Sequence, residues 1–424
     1  MITPGPRASS ARIYWTAFIG LLFDYYDLYL FVYLEKALAA QFALTPTESS
    51  GLQFVGLAGV GAGALGFGAL ADRWGRGRIM LAVFGVYLLG IAGLSAAWSF
   101  ASVLGFRLLA SLALGAEWGI SHTYLAERVD RATRYRFSAL LQFAILGGLL
   151  AALARGYLLP AWGWRWLFAA STVPIALLSA VRWRALAAAD GDRKPEAGGR
   201  MSEARGQKPE VRSRKSEATL GRTSLTPQTS ELRPPASGST GASTVGMQRG
   251  NPVAFAVCFG IASLTIASGT MNVFYAKDLP QSLLYTVCFW GNVAPGMLLG
   301  AWVVRRLDVG RALALYAAAL MALSGWAWCS TWPARNLAFA LVLPLLNGLP
   351  YGLMGAFFNE VLGGYRTMLS GAAYNLGRIL AGFSPALIIG LGLHQDGHYF
   401  LFTAVLGAGV LALSAVAGRQ PRQL

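Results

Sequence analysis

The feature that most constrains this chain is a succession of twelve long apolar stretches. They lie near residues 12–34, 49–70, 79–99, 102–126, 137–159 and 163–185, then 252–276, 282–304, 309–331, 335–357, 367–393 and 399–418. Each holds about 20 residues or more, the length an α-helix needs to cross a hydrocarbon layer about 30 Å thick. Backbone polar groups in hydrocarbon must be satisfied within the protein, so stretches of this kind are expected to be helices. The composition agrees. Hydrophobic residues make up 55% of the 424 and charged residues 13%, roughly half the charged share of a soluble domain. The pattern predicts an all-α membrane protein with twelve transmembrane helices.

A formal net charge of +16 raises the question of a nucleic-acid partner. The basic residues, however, fall in alternate loops: Arg73, Arg76 and Arg78, then Arg128, Arg131, Arg134 and Arg136, then Arg305, Arg306 and Arg311. Lys and Arg concentrate in cytoplasmic loops of membrane proteins. That rule places these loops, both termini and the central stretch in the cytoplasm, in a protein of the cytoplasmic (inner) membrane. The surrounding partner is then a lipid bilayer, and no nucleic acid is expected. The N-terminus, M-I-T-P-G-P-R, shows no cleavable signal pattern, and the first apolar stretch is too long for a signal segment.

Between residues 186 and 251 the character changes to Gly, Ser, Pro, Arg, Lys and Glu with few large apolar side chains. Such a stretch cannot bury a core and is expected to be disordered. The expected organisation is a six-helix bundle over 1–185, a disordered cytoplasmic linker over 186–251 and a second six-helix bundle over 252–424. The linker reads as a flexible tether, with contact to anionic lipid as the alternative. Cys258, Cys288 and Cys329 all fall in apolar stretches, as packing residues do. No G-x-x-x-x-G-K-[ST] loop and no His-rich pattern is present in the sequence. No enzyme activity, catalytic residue, cofactor or metal is therefore expected. Nothing in the sequence suggests assembly, so a monomer is expected.

One loop is distinctive. Gly68 to Arg78 reads G-A-L-A-D-R-W-G-R-G-R and places Asp72, Arg73, Arg76 and Arg78 between two apolar stretches. Arg or Asp at the bilayer centre costs about 2.5–3.5 kcal/mol on insertion scales, so the chain must turn here at a membrane surface. Gly68 and Gly75 permit close backbone approach, and Asp72 can accept from guanidinium groups or helix N-termini. This loop resembles the signature G-x-L-x-D-R-x-G-R-[RK]-x of the major facilitator superfamily of transporters, departing from it at Gly77. Gly300 to Arg311, G-A-W-V-V-R-R-L-D-V-G-R, is a degenerate copy in the second half, with Val304 where the Asp would stand. The resemblance implies two six-helix repeats with substrate near the midplane between them.

Charges inside spanning stretches are costly and are functional candidates. Asp24 and Asp27, in L-L-F-D-Y-Y-D, are spaced i, i+3 and so share one helix face. Two carboxylates that close in a low-dielectric site do not both ionise, so one holds a proton. That property suits proton coupling; the alternative is a structural pair capping neighbouring helices. Arg107 lies at about the depth of Asp27, so the two can pair. Arg378 sits near the middle of its stretch with no acid nearby in sequence. A buried guanidinium wants an anion, and a substrate carboxylate can take both of its prongs; pairing with a carbonyl or a distant acid is the alternative. Gln142, Thr265, Ser268, Asn272, Tyr275 and Asn292 are polar residues at membrane depth. Asn272 belongs to the most polar stretch of the second half, A-S-G-T-M-N-V-F-Y. Tyr25, Tyr26 and Tyr29 add aromatic surface beside the acids. His122 reads as a satisfied buried histidine.

Further motifs narrow the resemblance. R-L-L-A-S-L-A-L-G-A-E-W-G (Arg107 to Gly119), G-W-R-W-L-F (Gly163 to Phe168) and Y-N-L-G-R (Tyr374 to Arg378) resemble those of proton-linked aromatic-acid, sialic-acid and lactate symporters. The spacing and depth of Asp24, Asp27 and Arg107 make them the expected proton-coupling group. The resemblance implies Arg378, Tyr374 and Asn375 as substrate ligands, and the polar and aromatic residues at membrane depth add Asn272 and Tyr26. Gly68, Asp72, Arg73, Gly75, Arg76, Glu117, Glu127, Arg134, Glu360 and Arg366 form the gating set, with Glu360 and Arg366 resembling the symmetry mates of Glu127 and Arg134. Glu117 has a second reading, as a partner of loop arginines such as Arg73 or Arg136. The expected function is proton-coupled symport of a small organic anion, a monocarboxylate or aromatic acid, by alternating access. The competing expectations are a proton-driven efflux antiporter for a lipophilic compound, a transporter of a neutral sugar or other metabolite, and a membrane-embedded sensor with the linker as its output.

Overall fold

A computed structural model describes residues 10–130, 133–191, 251–276, 282–330, 335–392 and 398–421. The linker expected over 186–251 lies outside these residues except at its two ends. Every regular element among the described residues is helical. In chain order these are α1 (Ser10–Gln41), α2 (Pro46–Trp74), α3 (Arg76–Ser95), α4 (Phe100–Ala126), α5 (Arg134–Gln142), α6 (Gly147–Leu153) and α7 (Leu159–Gly191). The second half gives α8 (Pro252–Ala276), α9 (Ser282–Arg306), α10 (Val309–Cys329), α11 (Arg335–Val361), α12 (Arg366–Gly382), α13 (Ser384–Gly390) and α14 (His398–Ala417).

Among the described residues, eleven runs are long and apolar enough to cross a membrane, against twelve expected from the sequence. The difference lies in residues 134–181, which count as one run. Within it Gly163 has φ 74 and ψ 165, so the helix before it and the helix after it are separate segments meeting at a kink. The fifth apolar stretch is also irregular: a 3₁₀ turn (Phe143–Leu146) and a π turn (Ala154–Leu158) flank α6. The eleventh, expected as one helix over 367–393, breaks between α12 and α13, where Pro385 occupies the first turn of α13. Proline lacks the N–H that would continue the ladder.

Helix ends are fixed by local chemistry. Thr45 and Ser99 form capping boxes with Glu48 and Ser102 at the starts of α2 and α4. Asp308 caps α10 through the Arg311 N–H at 2.9 Å. At the α2–α3 junction a single residue, Gly75, makes the turn with φ 95, a backbone region that strains other L residues.

Two apolar clusters make the core. One is built by α1, α3 and α4 with parts of α2, α6 and α7. The other joins the two halves of the chain: Leu21, Tyr25, Trp118 and Ile145 pack with Phe289, Trp290, Tyr351 and Tyr374. The polar site described below is embedded in this second cluster.

At the end of the bundle that carries the α2–α3 loop, α2 lies directly against α12. A Cβ added to Gly68 would sit 2.7 Å from the Met368 Cα, closer than real Cβ atoms approach. Any larger side chain at 68 must push α12 away. The prediction uses a background with Cys258, Cys288 and Cys329 replaced by alanine and a reporter cysteine at the fully buried Ser370. Adding Gly68→Leu should raise maleimide reactivity at position 370 by about tenfold or more, as loss of one to two kcal/mol of packing allows. An unchanged rate would contradict the close α2–α12 contact.

Candidate functional site

A small cavity lies between the two halves, lined by Leu21, Asp24, Tyr25, Leu28, Leu114, Trp118 and Arg378. Its floor is aromatic. The Tyr374 ring stacks on Trp118 with centroids 4.0 Å apart and planes 1° from parallel. The hydroxyls of Tyr25 and Tyr374 are hydrogen-bonded at 2.9 Å, which joins α1 to α12. Trp118 donates its indole N–H to Gln142 Oε1 at 3.0 Å, and His122 Nε2 meets the same oxygen at 2.9 Å. These bonds hold the Trp118 face toward the cavity.

Arg378 is placed here by α12. Its guanidinium carbon lies 5.1 Å from the Tyr374 ring centroid and 5.9 Å from that of Tyr25, within cation–π range. Tyr29 and Tyr351 complete a set of four tyrosines in electrostatic contact with it. Its Nη1 is buried and has no hydrogen-bond partner among the described residues. No ion pair to Arg378 forms among the described residues. Asp24, at 4% exposure, lines the same cavity from α1.

Asp27 is oriented differently from Asp24. It is 1% exposed and sits inside the first half, hydrogen-bonded to the Tyr87 hydroxyl on α3 and to Ser171 Oγ on α7 at 3.0 Å. Tyr87 is in electrostatic contact with both acids, so it links them. Arg107 interacts with Asp27 electrostatically while stacking on Phe31 at 3.8 Å. The hydrogen bonds to Asp27 come from hydroxyls and not from Arg107. The sequence had placed the two acids on one face with Arg107 as partner; the structure divides them between a cavity and a closed hydrogen-bonded cluster.

The predicted substrate ligands also divide. Arg378 lines the cavity, and Tyr374 lies behind the lining, stacked on Trp118 and hydrogen-bonded to Tyr25. Tyr26 is not among its lining residues; it packs on Phe23 at 6.2 Å, and the preceding Tyr25 takes the cavity position. One residue is about 100° of helix rotation, enough to exchange their faces. Asn375 is fully buried against α4, donating Nδ2 to Gly115 O at 2.8 Å and to Gly371 O at 3.1 Å. It therefore joins helices and does not face the cavity. Asn272 lies on α8, but its side chain is outside the described residues, as is that of Tyr275. Asn292 donates to Leu341 O at 3.2 Å on α11.

The predicted gating residues gather mainly at the loop end. Asp72 accepts the backbone N–H groups of Thr367 at 3.2 Å and Met368 at 3.0 Å, the first turn of α12. Tyr365, the cap residue of α12, supplies no side-chain bond of its own, so the cap comes from the other half of the chain. Arg76 bridges Asp72 at 2.9 Å and Glu127 at 3.0 Å, and donates from Nε to Thr367 Oγ1 at 3.2 Å. Arg366 approaches Glu127 at 4.0 Å. Beside this, Arg134 pairs with Glu360 at 3.4 Å and Tyr135 donates to Glu360 at 2.8 Å. Arg73 and Arg136 are exposed, outside this network. Glu117 is fully buried near Gly20 and accepts from Ser121 at 2.6 Å, well inside the bundle.

Several residues at or near the site escaped the sequence reading: Trp118 as a stacking platform, Tyr87 and Ser171 as Asp27 partners, and the buried Asn347 and Tyr351 on α11. Asn347 carried a signal, a lone amide in the apolar run L-P-L-L-N-G-L-P-Y. The others are aromatic or hydroxyl residues whose partners are distant in sequence.

The chain is 32% identical over 161 residues to the niacin transporter NiaP of Acinetobacter baylyi, covering 38% of this chain and 37% of that protein. It is 35% identical over 164 residues to the cis,cis-muconate transport protein of the same organism, covering 38% and 39%. A gallate transporter of Pseudomonas putida is 32% identical over 173 residues, covering 39% and 37%. The matches thus span about two fifths of these relatives' lengths. The fold is similar to that of the proton:xylose symporter XylE, with TM-score 0.69 and 14% identity over 96% of this chain and 94% of that one. It is also similar to the Escherichia coli fucose:proton symporter FucP, with TM-score 0.67 and 14% identity over 97% and 100%. The family model described as Major Facilitator Superfamily matches residues 17–385. An integral membrane protein with this loop signature, this helical fold and a family match over most of its length belongs to the Major Facilitator Superfamily.

Proposed function

We propose that this chain is a proton-coupled symporter for a small organic anion, a monocarboxylate or aromatic acid. It works by alternating access between a first bundle, 1–185, and a second, 252–424. In this reading it is a monomer in the cytoplasmic membrane, with both termini and the 186–251 linker on the cytoplasmic side. The observation that carries the reading is Arg378: a guanidinium at mid-membrane depth, facing a cavity, with a buried Nη1 that has no hydrogen-bond partner among the described residues. A substrate carboxylate supplies the missing acceptor and the missing negative charge. The flat Trp118–Tyr374 stack offers an aromatic or conjugated acid a surface beside it. Relatives named for niacin, muconate, gallate and gentisate transport are in keeping with an acid substrate.

Coupling follows from charge in a confined space. The cavity holds Asp24 on one wall and Arg378 on another. A carboxylate entering it meets two groups of opposite sign, and with Asp24 ionised there are two anions for one cation. Protonating Asp24 removes that repulsion, so proton and anion load together. Asp27, with Tyr87, Ser171 and Arg107 around it, continues the protonatable chain inside the first half. The Asp72, Arg76, Glu127 and Arg366 network, with Arg134–Glu360, closes the cytoplasmic side. It must separate when the loaded cavity opens inward.

Two outcomes are expected. In proteoliposomes with an internal pH dye, adding the right carboxylate should acidify the lumen. Arg378→Met should abolish acidification and uptake, and Asp24→Asn should retain carboxylate binding but move no protons. Acidification that persists in Arg378→Met would overturn the reading. Thermal unfolding should separate the two kinds of arginine. Arg378→Met should leave the melting temperature equal or higher, because it removes a buried charge without an ion partner. Arg134→Met should lower it by several degrees, since it takes the guanidinium from Glu360, at 1% exposure, and removing one partner of a buried ion pair costs about 3–5 kcal/mol.

A further inference from the structure

A second buried polar cluster lies in the other half of the chain, beyond the cavity lining. Asn347 on α11 is fully buried. Its Oδ1 accepts two hydrogen bonds, from Ser268 Oγ on α8 at 3.0 Å and from Tyr316 Oη on α10 at 2.9 Å. Two hydroxyls on one oxygen fix the amide's orientation and turn Nδ2 away from both. Nδ2 is buried and has no hydrogen-bond partner among the described residues. Buried amide nitrogens are paired in the great majority of proteins, so this one requires an explanation.

The direction Nδ2 takes is informative. It faces Gly269 on α8: a Cβ there would lie 4.0 Å from Nδ2 and 3.5 Å from Tyr351 Oη. Tyr351, one turn along α11 from Asn347, is one of the four tyrosines in electrostatic contact with Arg378. Asn347 and Tyr351 are thus neighbours beside Gly269, and Tyr351 interacts electrostatically with Arg378. All three residues lie near the middle of their spanning helices.

We infer that Asn347 is a second substrate-binding group, donating from Nδ2 to a neutral acceptor on the molecule whose carboxylate Arg378 holds. This rests on the reading of Arg378 as the carboxylate ligand. The substrate class it selects is an organic acid with an acceptor remote from the carboxylate: a hydroxyl, ether or carbonyl oxygen, or a ring nitrogen. The absence of a side chain at Gly269 leaves room for a methyl-sized group beside the amide. Failure to pair Nδ2 disfavours acids that are purely hydrocarbon beyond the carboxylate.

The test compares benzoate with its ring-hydroxy and ring-methoxy derivatives, binding to the purified full-length protein by titration calorimetry. At least one derivative should bind about five- to tenfold tighter than benzoate, as one neutral hydrogen bond provides. Asn347→Leu should erase that advantage and leave benzoate affinity within about twofold. Because Asn347→Leu also removes the acceptor for Ser268 and Tyr316, Gly269→Ala is the second variant. Its methyl meets only ordinary van der Waals distances, so the fold is retained while the space before Nδ2 is filled, and the advantage should again vanish. Derivatives no better than benzoate, or an advantage that survives both variants, would overturn the inference and leave Nδ2 holding a water alone. Binding of benzoate that Arg378→Met abolishes, without any effect of ring substituents, would sink this inference while sparing the reading of Arg378. No binding of any acid would overturn both.

Discussion

A charge inside a membrane-spanning bundle must be neutralised, and the arrangement of polar side chains in this protein follows from that requirement. The cost of an isolated ion in a medium of low dielectric is several kcal/mol even after relaxation. Arg134 meets it through Glu360, Asp27 through the hydroxyls of Tyr87 and Ser171, and Asp72 through the backbone amides of α12 and the Arg76 guanidinium. Arg378 meets it only in part, through tyrosine rings and hydroxyls, and keeps a buried N–H in reserve. The distinction between closed and open sites separates residues that hold the fold from the residue proposed to bind substrate.

The contacts between the two halves concentrate around the same logic. The first turn of α12 is capped by Asp72 of α2, not by its own N-cap residue. One carboxylate thus serves the α2–α3 turn and the start of a helix nearly three hundred positions away in sequence. Hydrogen bonds to an ionised acceptor are worth about 1.5–3 kcal/mol each, so the interface is held by few, strong, breakable bonds. The same helix, α12, carries Tyr374 and Arg378, so it joins the capped end to the cavity. Alternating access, as proposed, needs a closure of this kind: specific when made, and not so extensive that it cannot be undone.

The fold was legible in the sequence because hydrocarbon thickness imposes a length on each apolar stretch, and twelve such stretches stand clear of their loops. What the apolar pattern did not reveal was backbone irregularity: the Gly163 kink, the 3₁₀ and π turns around α6, and the break before Pro385. The candidate site was legible where a charge sat among apolar residues, as for Asp24 and Arg378, which line the cavity. It was illegible where rotation decided the outcome. Tyr25 and Tyr26 are adjacent, and only packing against α6 and α12 selects which one faces the cavity. Asn375 shares a motif with Arg378, yet its amide is taken by the α4 backbone at Gly115. Asn347 and Trp118 owe their roles to Tyr316, Ser268 and Gln142, partners that no local spacing reveals.

The most direct test of the central claim, that Arg378 is the ligand for a substrate carboxylate, is a comparison of one aromatic acid with its primary amide. The two have nearly the same shape and differ in charge. Calorimetric affinities measured on native protein and on Arg378→Met isolate the guanidinium's contribution. The account predicts that native protein prefers the acid by about tenfold or more, as expected for a hydrogen bond between charged groups, and that Arg378→Met shows no preference. Equal affinity for acid and amide in native protein, or a preference undiminished in Arg378→Met, would contradict it.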